Sequence, residues 1–329
     1  MLGLEGFVSW FVFAAYITLF VNNNLLVTAS KNKDNQYSYS TILVVILIEF
    51  SKLIISILLC LRSQSVTALF QDFTSNRKAF LYYMIPAGLY CICNNLVFFN
   101  LGRYDMTTYT VLMQFGIVTT GLTYQCIFQR QLSCVQWMSL VILTFGCIMA
   151  HLNSVDQQEI IVNSSILFVL IQLLCSSFAG VYSEFLLKNF SIGLSFWQQN
   201  IAMYTDSCIF GVVSLAFTRT LNNDLFSPQS IRSLSRPLVI ALICNNVAAG
   251  LVTSLFLTKL NSILKKFAVA IEMIILALIG HLFMGQTVNL TMAAAVFLVS
   301  FAIVLYSLYP LKKIEPQIEL TELKVNGNH

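Results

Sequence analysis

Long apolar stretches joined by short polar connections run through almost the whole chain. A helix that crosses the hydrocarbon core of a bilayer needs about 20 mainly apolar residues, because the core is roughly 30 Å thick and a helix rises about 1.5 Å per residue. Ten stretches meet this requirement: 6–29, 40–61, 80–102, 105–128, 134–152, 163–187, 195–217, 236–258, 261–284 and 287–309. The pattern therefore predicts an all-α integral membrane protein with ten transmembrane helices, in which residues 1–329 form a single polytopic domain.

The amino-acid composition excludes a soluble fold. Charged residues make up 10% of the 329 residues, against about 25% in an ordinary globular protein, and hydrophobic residues reach 57%. The mean hydropathy is +0.79. The 18 Lys and Arg exceed the 14 Asp and Glu by four, but they are spread over short connections and form no basic stripe. A lipid bilayer is therefore the predicted surrounding, and nucleic acid is not a predicted partner.

The distribution of basic residues predicts the orientation in the membrane. With ten spans, both termini lie on the same side. The even-numbered connections and the tail contain eleven Lys and Arg, whereas the odd-numbered connections contain six. Cytosolic connections carry the excess of basic residues in membrane proteins. The count therefore favours cytosolic termini, with a cytosolic tail at 310–329.

A short internal repeat divides the chain into two halves. Residues 92–95 read Ile-Cys-Asn-Asn, and residues 243–246 repeat them 151 positions later. The two copies lie in spans 3 and 8, which aligns a first repeat of about 6–152 with a second of about 163–309. Because each repeat contains five spans, an odd number, the halves have opposite orientations. We therefore predict a five-plus-five inverted repeat, an arrangement typical of secondary transporters with a substrate site near the midplane.

Ionisable side chains inside the spans are candidate functional groups, because a charge at the centre of a membrane helix costs about 2.5–3.5 kcal/mol. These residues are Glu49, Lys52, Glu184, Asp206 and Glu272. Glu49 and Lys52 share a helix face, so they either neutralise each other or leave Lys52 to bind an anion in a central cavity. Glu184 and Lys188 are four residues apart and allow the same two interpretations.

Amide and aromatic side chains recur at helical spacing. Tyr90 and Asn94 are four residues apart in span 3, with Asn95 adjacent, and Asn200 and Tyr204 repeat the arrangement in span 7. A tyrosine can stack on a flat ring, and an asparagine amide offers a donor and an acceptor to the edge of a nucleobase. The alternative is hydrogen bonding between helices, which membrane bundles use widely.

Two further groups also allow a structural and a functional interpretation. Ser176 and Gly180 share a face of span 6, where small residues admit either a ligand or a neighbouring helix. Lys265 and Lys266 lie where span 8 turns into span 9. They either anchor the end of the helix at the membrane surface or bind a phosphate at the mouth of a cavity between the repeats.

Neither a cofactor, a metal nor enzyme activity is predicted. The nine cysteines form no CxxC pair and accompany no histidine cluster, so we interpret them as packing residues. A GxxxxGK[ST] loop is absent, which leaves an ATP-driven pump unsupported. A membrane aspartyl protease would need a second intramembrane aspartate beside Asp206, and an acyltransferase would need a polar cluster around His281.

Several sequence stretches, in order along about residues 38–308, together carry a family resemblance. They are Glu-Phe-Ser-Lys at 49–52, Ile-Pro-Ala-Gly-Leu-Tyr at 85–90 leading to Asn94 and Asn95, Gln114 through Gln136 and Trp137, Cys-Ser-Ser-Phe-Ala-Gly-Val-Tyr-Ser-Glu at 175–184, Gln-Asn-Ile-Ala-Met-Tyr at 199–204, and Gly-Leu-Val-Thr-Ser at 250–254 leading to Lys265. With these stretches the chain resembles the nucleotide-sugar transporters of the CMP-sialic acid, UDP-galactose and UDP-N-acetylglucosamine branch, within the drug/metabolite transporter superfamily.

The resemblance implies a function and a location. It implies an antiporter that exchanges a cytosolic nucleotide sugar for a lumenal nucleoside monophosphate, for glycosylation in the Golgi or the endoplasmic reticulum. Because this branch mostly handles UDP sugars, we expect a UDP sugar and UMP. A multi-pass Golgi membrane protein with cytosolic termini is the expected location. Association as a homodimer or with glycosyltransferases stays open.

The resemblance also implies roles for individual residues. Tyr90, Asn94 and Asn95 match residues that hold the base and ribose. Lys265 matches a lysine that contacts a phosphate, and Lys52 matches a lysine at the phosphate and sugar end. Further residues are implied to line the nucleotide pocket: Tyr109, Ser176, Ser177, Asn200 and Tyr204.

Departures from the family pattern keep an alternative function open. Residues 113–116 read Met-Gln-Phe-Gly where close relatives read Tyr-Gln-Leu-Lys, so a cavity lysine of span 4 is missing. Glu272 stands where relatives have a small apolar residue, and one interpretation pairs it with Lys265 or Lys266. Losing a cation and gaining a carboxylate makes the phosphate region less positive. A scaffold or regulator that keeps the fold without transport is therefore the alternative to a carrier.

Overall fold

Helices make up the regular structure of every part of the chain that the computed structural model describes. The described residues are 6–30, 39–101, 103–104, 106–152, 166–189, 194–219, 232–284 and 290–309. Twelve helices of nine or more residues lie within them: α1 Phe7–Ser30, α2 Thr41–Leu61, α3 Val66–Ser75, α4 Arg77–Leu101, α5 Met106–Gln114, α6 Gly116–Phe128, α7 Cys134–Leu152, α8 Ile166–Asn189, α9 Phe196–Arg219, α10 Pro237–Lys259, α11 Ser262–Met284 and α12 Leu290–Leu308.

The helices follow the hydrophobic pattern of the sequence. Each predicted span contains a helix whose ends agree with the prediction to within three residues, and only the span at 105–128 is divided, into α5 and α6. Within the described part of the chain, seven stretches are each long and apolar enough to cross a bilayer. The prediction of an all-α membrane protein is therefore confirmed. The predicted cytosolic tail at 310–329 lies outside the described residues.

Short polar signals set several helix ends. The Ser40 hydroxyl accepts a hydrogen bond from the Leu43 amide at the start of α2, and Ser65 does the same for Ala68 at the start of α3. Both are N-caps, which satisfy one of the amide groups that a helix leaves without an acceptor at its first turn. Pro237 occupies the first position of α10, where its missing N–H costs nothing.

The predicted fourth span contains a break between α5 and α6. The Phe115 amide donates to the Leu112 carbonyl at 3.2 Å, a tighter turn than an α-helix, and the next helical bond runs from the Thr119 amide to the Phe115 carbonyl at 3.1 Å. A new helix therefore begins at Gly116 in the middle of the span. The first amide groups of α6 have no acceptor within their own helix and point toward the preceding turn.

The helices pack in a small set of pairs. α7 lies along α12, and α2 lies along α9. α4 packs against both α8 and α9, whereas α10 packs against both α1 and α2. α6 contacts α8, and α11 contacts α1 and α6. Each half of the chain therefore packs largely against the other half.

Close backbone approach between α7 and α12 depends on a glycine. A Cβ atom added at Gly146 would lie 2.9 Å from Val299 Cγ2 and 3.1 Å from the Val299 backbone nitrogen. Real side chains do not tolerate such distances, so the absence of a side chain lets the two helices touch. Small residues at helix contacts are typical of membrane bundles, where packing rather than water exclusion drives association.

The largest apolar core lies at one end of the bundle. It brings together the first half of α1, the end of α10, the start of α11 and the second half of α12. Tyr16 packs against Phe256 with tilted rings whose centroids are 4.9 Å apart, and Phe267 packs on Tyr306 at 4.5 Å. This end is also where α1 begins and α12 ends. We call this cluster the terminal-side core.

Candidate functional site

The side chains of Tyr90 and Asn94 are accessible to solvent, and they lie on the face of α4 that points into the bundle. Cys93 donates through its thiol to the Gln172 carbonyl of α8 at 3.7 Å, and Gly88 faces the Phe210 ring of α9. Successive residues turn by about 100° around a helix. Tyr90 and Asn94 therefore lie between the side that meets α8 and the side that meets α9, and both are exposed.

The opposite face of α4 is apolar. Ile85, Ile92 and Phe99 are exposed there, with 44%, 50% and 40% of their surface accessible. Exposed aliphatic and aromatic side chains at seven-residue intervals indicate a lipid-facing stripe. The polar exposed residues of α4 consequently face the inside of the bundle. Asn95 lies toward α9, and its amide donates to the Cys91 carbonyl at 2.8 Å.

Asn200 and Tyr204 are buried and hold α9 to α10. The Asn200 amide donates to the Phe196 carbonyl, and its oxygen accepts a hydrogen bond from the Ser254 hydroxyl. The Tyr204 hydroxyl donates to the Gly250 carbonyl at 3.4 Å. Both side chains thus form hydrogen bonds between helices, which is the alternative to nucleotide binding that the spacing allowed.

Lys52 is buried, and its charge lies next to a carboxylate and an aromatic ring. Its ammonium group lies 2.5 Å from Glu49 Oε1 and 4.6 Å from the centre of the Tyr204 ring. A Cβ atom at Gly250 would lie 2.5 Å from Lys52 Cδ, so a side chain at this position would displace the end of the lysine. Of the two interpretations of the Glu49 and Lys52 spacing, the structure contains the mutual neutralisation. The predicted phosphate role of Lys52 is not tested by these contacts.

The serines of α8 lie on a polar seam with α6. The Ser177 hydroxyl is 2.7 Å from Thr119 Oγ1, and Thr120 donates to it at 3.3 Å. Ser176 lies one position away and donates to the Leu173 carbonyl. This seam lies next to Gly180, whose missing side chain leaves the Tyr90 hydroxyl 3.7 Å from the position of a Cβ atom.

Tyr109 belongs to a buried amide network. Gln172 donates to the Tyr109 hydroxyl at 2.6 Å, and its carbonyl oxygen accepts from Asn100 at 2.7 Å. Gln172 thereby connects α4, α5 and α8 in one chain of hydrogen bonds. Neither Gln172 nor Asn100 was predicted as a site residue. A glutamine in an apolar helix nevertheless indicates a hydrogen bond between helices.

Lys265 and Lys266 form no ion pair with a carboxylate among the described residues. Both are partly buried in the first two turns of α11. The two ion pairs found among the described residues are Lys52 with Glu49 and Lys188 with Glu184. No Asp or Glu in the described part of the chain therefore lies within 4 Å of either ammonium group. The start of a helix is its positive end, so two lysines there are stabilised by an anion.

Glu184 forms an ion pair and accepts a backbone hydrogen bond, and both hold helices together. Its Oε1 pairs with Lys188 at 2.7 Å, and its Oε2 accepts the first amide of α11, from Ser262, at 2.6 Å. Lys188 also donates to the Leu260 carbonyl. One buried carboxylate thus fixes α8 to the turn between α10 and α11. The charge of Glu184 is balanced by Lys188, and Glu184 forms no ion pair with Lys265.

Glu272 is bonded to α1. The Asn24 amide donates to Glu272 Oε1 at 2.5 Å. The interpretation that paired Glu272 with Lys265 or Lys266 finds no such contact among the described residues. Asn246 also donates to Asn23 of α1, at 2.7 Å. Polar contacts along α1 therefore accommodate Glu272, and the three consecutive asparagines at 22–24 were the signal for them.

Asp206 stands apart from these networks. It is buried in α9, and its Oδ2 has no hydrogen-bond partner among the described residues. Within the same residues no group of three or more His, Cys, Asp or Glu side chains is arranged to hold a metal ion.

Comparisons with known proteins give a consistent result. A family model described as nucleotide-sugar transporter matches residues 8–307. The chain is 36% identical to the "UDP-galactose transporter senju" of Drosophila melanogaster, over 94% of this chain and 90% of that protein. It is 28% identical to the "CMP-sialic acid transporter 1" of Arabidopsis thaliana, over 89% and 83% of the two chains. One solved crystal structure shares the fold, with a TM-score of 0.60, 12% identity and coverage of 92% of this chain and 98% of the other.

Proposed function

The chain belongs to the nucleotide-sugar transporter family, and from this premise we propose that it is a UDP-sugar/UMP antiporter of the Golgi membrane. The observation that carries the proposal is its similarity, over nearly the full length of both proteins, to a fly protein named as a UDP-galactose transporter. The arrangement of α4 and α11 supports it, because an interior face with a tyrosine and an amide accompanies an unneutralised pair of lysines.

The architecture we propose is a five-plus-five inverted repeat, with α1 to α7 as the first half and α8 to α12 as the second. Its support comes from the helix contacts. Exchanging the halves converts the α4–α8 contact into α10–α1, the α4–α9 contact into α10–α2, and the α6–α8 contact into α11–α1. All of these contacts exist, and the α7–α12 and α2–α9 contacts map onto themselves. A twofold relation between the halves predicts this pattern.

The binding roles we propose follow the charge and exposure of the side chains. Tyr90 stacks on the base, Asn94 and Asn95 hydrogen-bond to the base and ribose, and Lys265 binds the phosphate. Lys52, Tyr109, Ser177, Asn200 and Tyr204 contact each other or their neighbours directly. They therefore shape the walls of the site in this conformation, and Ser176 lies on the seam beside it.

Transport proceeds by alternating access between two orientations of the halves. UDP sugars and UMP share the nucleotide, so the same residues bind both ligands from opposite sides of the membrane. A ligand shifts the conformational equilibrium only by its different affinity for the two states, and exchange therefore needs no ATP. Cytosolic termini are supported by the Lys and Arg count. UDP sugar then enters from the cytosol and UMP returns from the lumen.

Reconstitution of the purified full-length protein tests the proposal. Proteoliposomes preloaded with UMP are expected to take up radiolabelled UDP-galactose several-fold faster than empty proteoliposomes. The variant Lys265→Ala is expected to abolish this uptake while its thermal unfolding midpoint stays unchanged, because the Lys265 ammonium group has no ion pair among the described residues. A wild-type protein that exchanges none of UDP-galactose, UDP-N-acetylglucosamine, CMP-sialic acid and GDP-mannose would contradict it and favour the scaffold alternative.

A further inference from the structure

The Lys266 ammonium group lies beside Gly116. A Cβ atom added at Gly116 would lie 3.6 Å from Lys266 Nζ and 3.3 Å from Leu173 Cδ2 of α8. Gly116 is buried, and it is the first residue of α6. The side chain of Lys266 therefore crosses from α11 to the start of α6. Its charge lies at a defined place between three helices, which a lysine that anchors a helix end at the membrane surface does not do.

Two ammonium groups lie near this position. The tight turn at Phe115 keeps helical backbone angles, φ −61° and ψ −15°, and Gly116 is the first residue of α6. The Lys266 ammonium group lies at this helix start, and Lys265 adds a second charge from the adjacent position of α11. A lysine binds a phosphate as a point charge.

The neighbouring carboxylates do not neutralise this charge. Glu184 is paired with Lys188, and Glu49 is paired with Lys52. Glu272 is bonded to Asn24 on the α1 side of α11. Two positive charges and a helix start thus remain without an anion among the described residues. A group with at least two negative charges balances them.

We propose that Lys266, together with the start of α6 at Gly116, binds a second phosphate, so that the site recognises a nucleoside diphosphate group. Lys265 then binds one phosphate of the pair and Lys266 the other. This inference rests on the proposed function, because it assumes that Lys265 contacts the nucleotide. It predicts a preference for a nucleotide sugar with two phosphates over one with a single phosphate, and it assigns that preference to Lys265 and Lys266.

Binding to the purified full-length protein tests this assignment. The affinities of UMP, UDP, CMP, CDP, GMP and GDP are measured by competition and by thermal shift, for the wild type and for Lys266→Ala. For the base that binds, we expect the wild type to bind the diphosphate more tightly than the monophosphate. A hydrogen bond to a charged group is worth a factor of about 10–100 in affinity. Lys266→Ala should therefore weaken the diphosphate about 10- to 100-fold and the monophosphate less than about threefold.

Two further variants separate a local charge from a general effect. Lys259→Ala removes an exposed lysine at the end of α10, seven residues before Lys266, and should change neither affinity. Adding Gly116→Lys to Lys266→Ala places an ammonium group at the same location from α6, and should restore part of the preference for the diphosphate. Unchanged unfolding midpoints confirm that the variants are folded.

The outcomes distinguish this inference from the proposed function. Equal weakening of monophosphate and diphosphate, or no weakening of either, by Lys266→Ala overturns the second-phosphate site and leaves the antiporter intact. A diphosphate preference that depends on Lys266 in a protein without exchange activity supports the site and contradicts the antiporter. A wild type that binds none of the six nucleotides contradicts both.

Discussion

Gly250 shows how the absence of one side chain positions a buried charge. It leaves room for the stem of Lys52, whose ammonium group then reaches Glu49 and the ring of Tyr204. Three helices, α2, α9 and α10, meet at this point. A buried charge is tolerated in a membrane helix when it has such partners, and removing one partner leaves an uncompensated charge.

Substitution of Gly250 by alanine should displace Lys52. The added methyl group would lie 2.5 Å from Lys52 Cδ, and overpacking of this kind costs about 1–3 kcal/mol. We expect a lower unfolding midpoint and slower UDP-galactose uptake in proteoliposomes. Gly211→Ala is the matched control, because its methyl group would meet Ile46 Cγ1 of α2 at an ordinary 3.4 Å. Equal behaviour of the two variants would show that Lys52 is free to move.

Sequence spacing predicted contacts within one helix and missed contacts between helices. The three-residue interval between Glu49 and Lys52 allowed their pairing to be considered before the structure was known. The contacts of Lys52 with Tyr204 and Gly250 join residues about 150 and 200 positions away, and no local pattern encodes such distances. For the same reason, the sequence allows two interpretations of Lys266, and only the structure shows its proximity to Gly116.

Among the helices, the turn between α10 and α11 is fixed by a carboxylate from α8. Glu184 accepts the Ser262 amide and pairs with Lys188, which also donates to the Leu260 carbonyl. The turn carries Lys265 and Lys266 at its end, so the orientation of α8 controls where their charges lie. A structural ion pair therefore helps to position Lys265 and Lys266.

Glu184→Gln should destabilise this turn. The glutamine keeps an acceptor for the Ser262 amide but leaves the Lys188 charge buried and unpaired, which costs about 3–5 kcal/mol. The double variant Glu184→Gln, Lys188→Met removes that charge and should recover most of the stability. Thermal unfolding of the purified variants measures both effects. A double variant as unstable as the single one would mean that the carboxylate acts through something other than Lys188.

The hydrophobic pattern predicted where the helices lie but not where one of them breaks. All ten predicted spans contain helices because apolar length is sufficient to define them. The break at Phe115 has no proline to mark it, and glycine inside a membrane helix is common. At the break, Gly116 faces Leu173 of α8 and Lys266 of α11, and no local pattern encodes such contacts between helices.

The two ends of the bundle differ in the size of their apolar clusters. The terminal-side core lies where α1 begins and α12 ends, whereas a smaller cluster of Tyr39, Val44, Val239 and Leu242 lies at the other end. Tyr90 and Asn94, nearer the middle of α4, remain exposed on its interior face. We therefore interpret this conformation as open toward the side opposite the termini. The sequence could not predict this state, because both states of a carrier use the same hydrophobic pattern.

Chemical labelling should report this state. In a protein whose nine native cysteines are replaced, Asn94→Cys is expected to react with a membrane-impermeant thiol reagent applied from the side opposite the termini. Ala268→Cys, in the terminal-side core, should react from neither side because Ala268 is fully buried. Saturating UMP should slow the reaction at position 94. Reaction at that position only from the side of the termini would contradict the assignment.

The terminal-side core makes the two orientations of an empty carrier unequal in energy. Opening at that end exposes Tyr16, Phe256, Phe267 and their neighbours to water, and each large apolar side chain costs about 1.5–3 kcal/mol to hydrate. A bound nucleotide offsets this cost through its own contacts, whereas an empty binding site cannot. Under the proposed exchange, net one-way flux is then slow and counterflow is fast. The rate at which sugar donor enters would then depend on the supply of spent nucleotide in the compartment it enters.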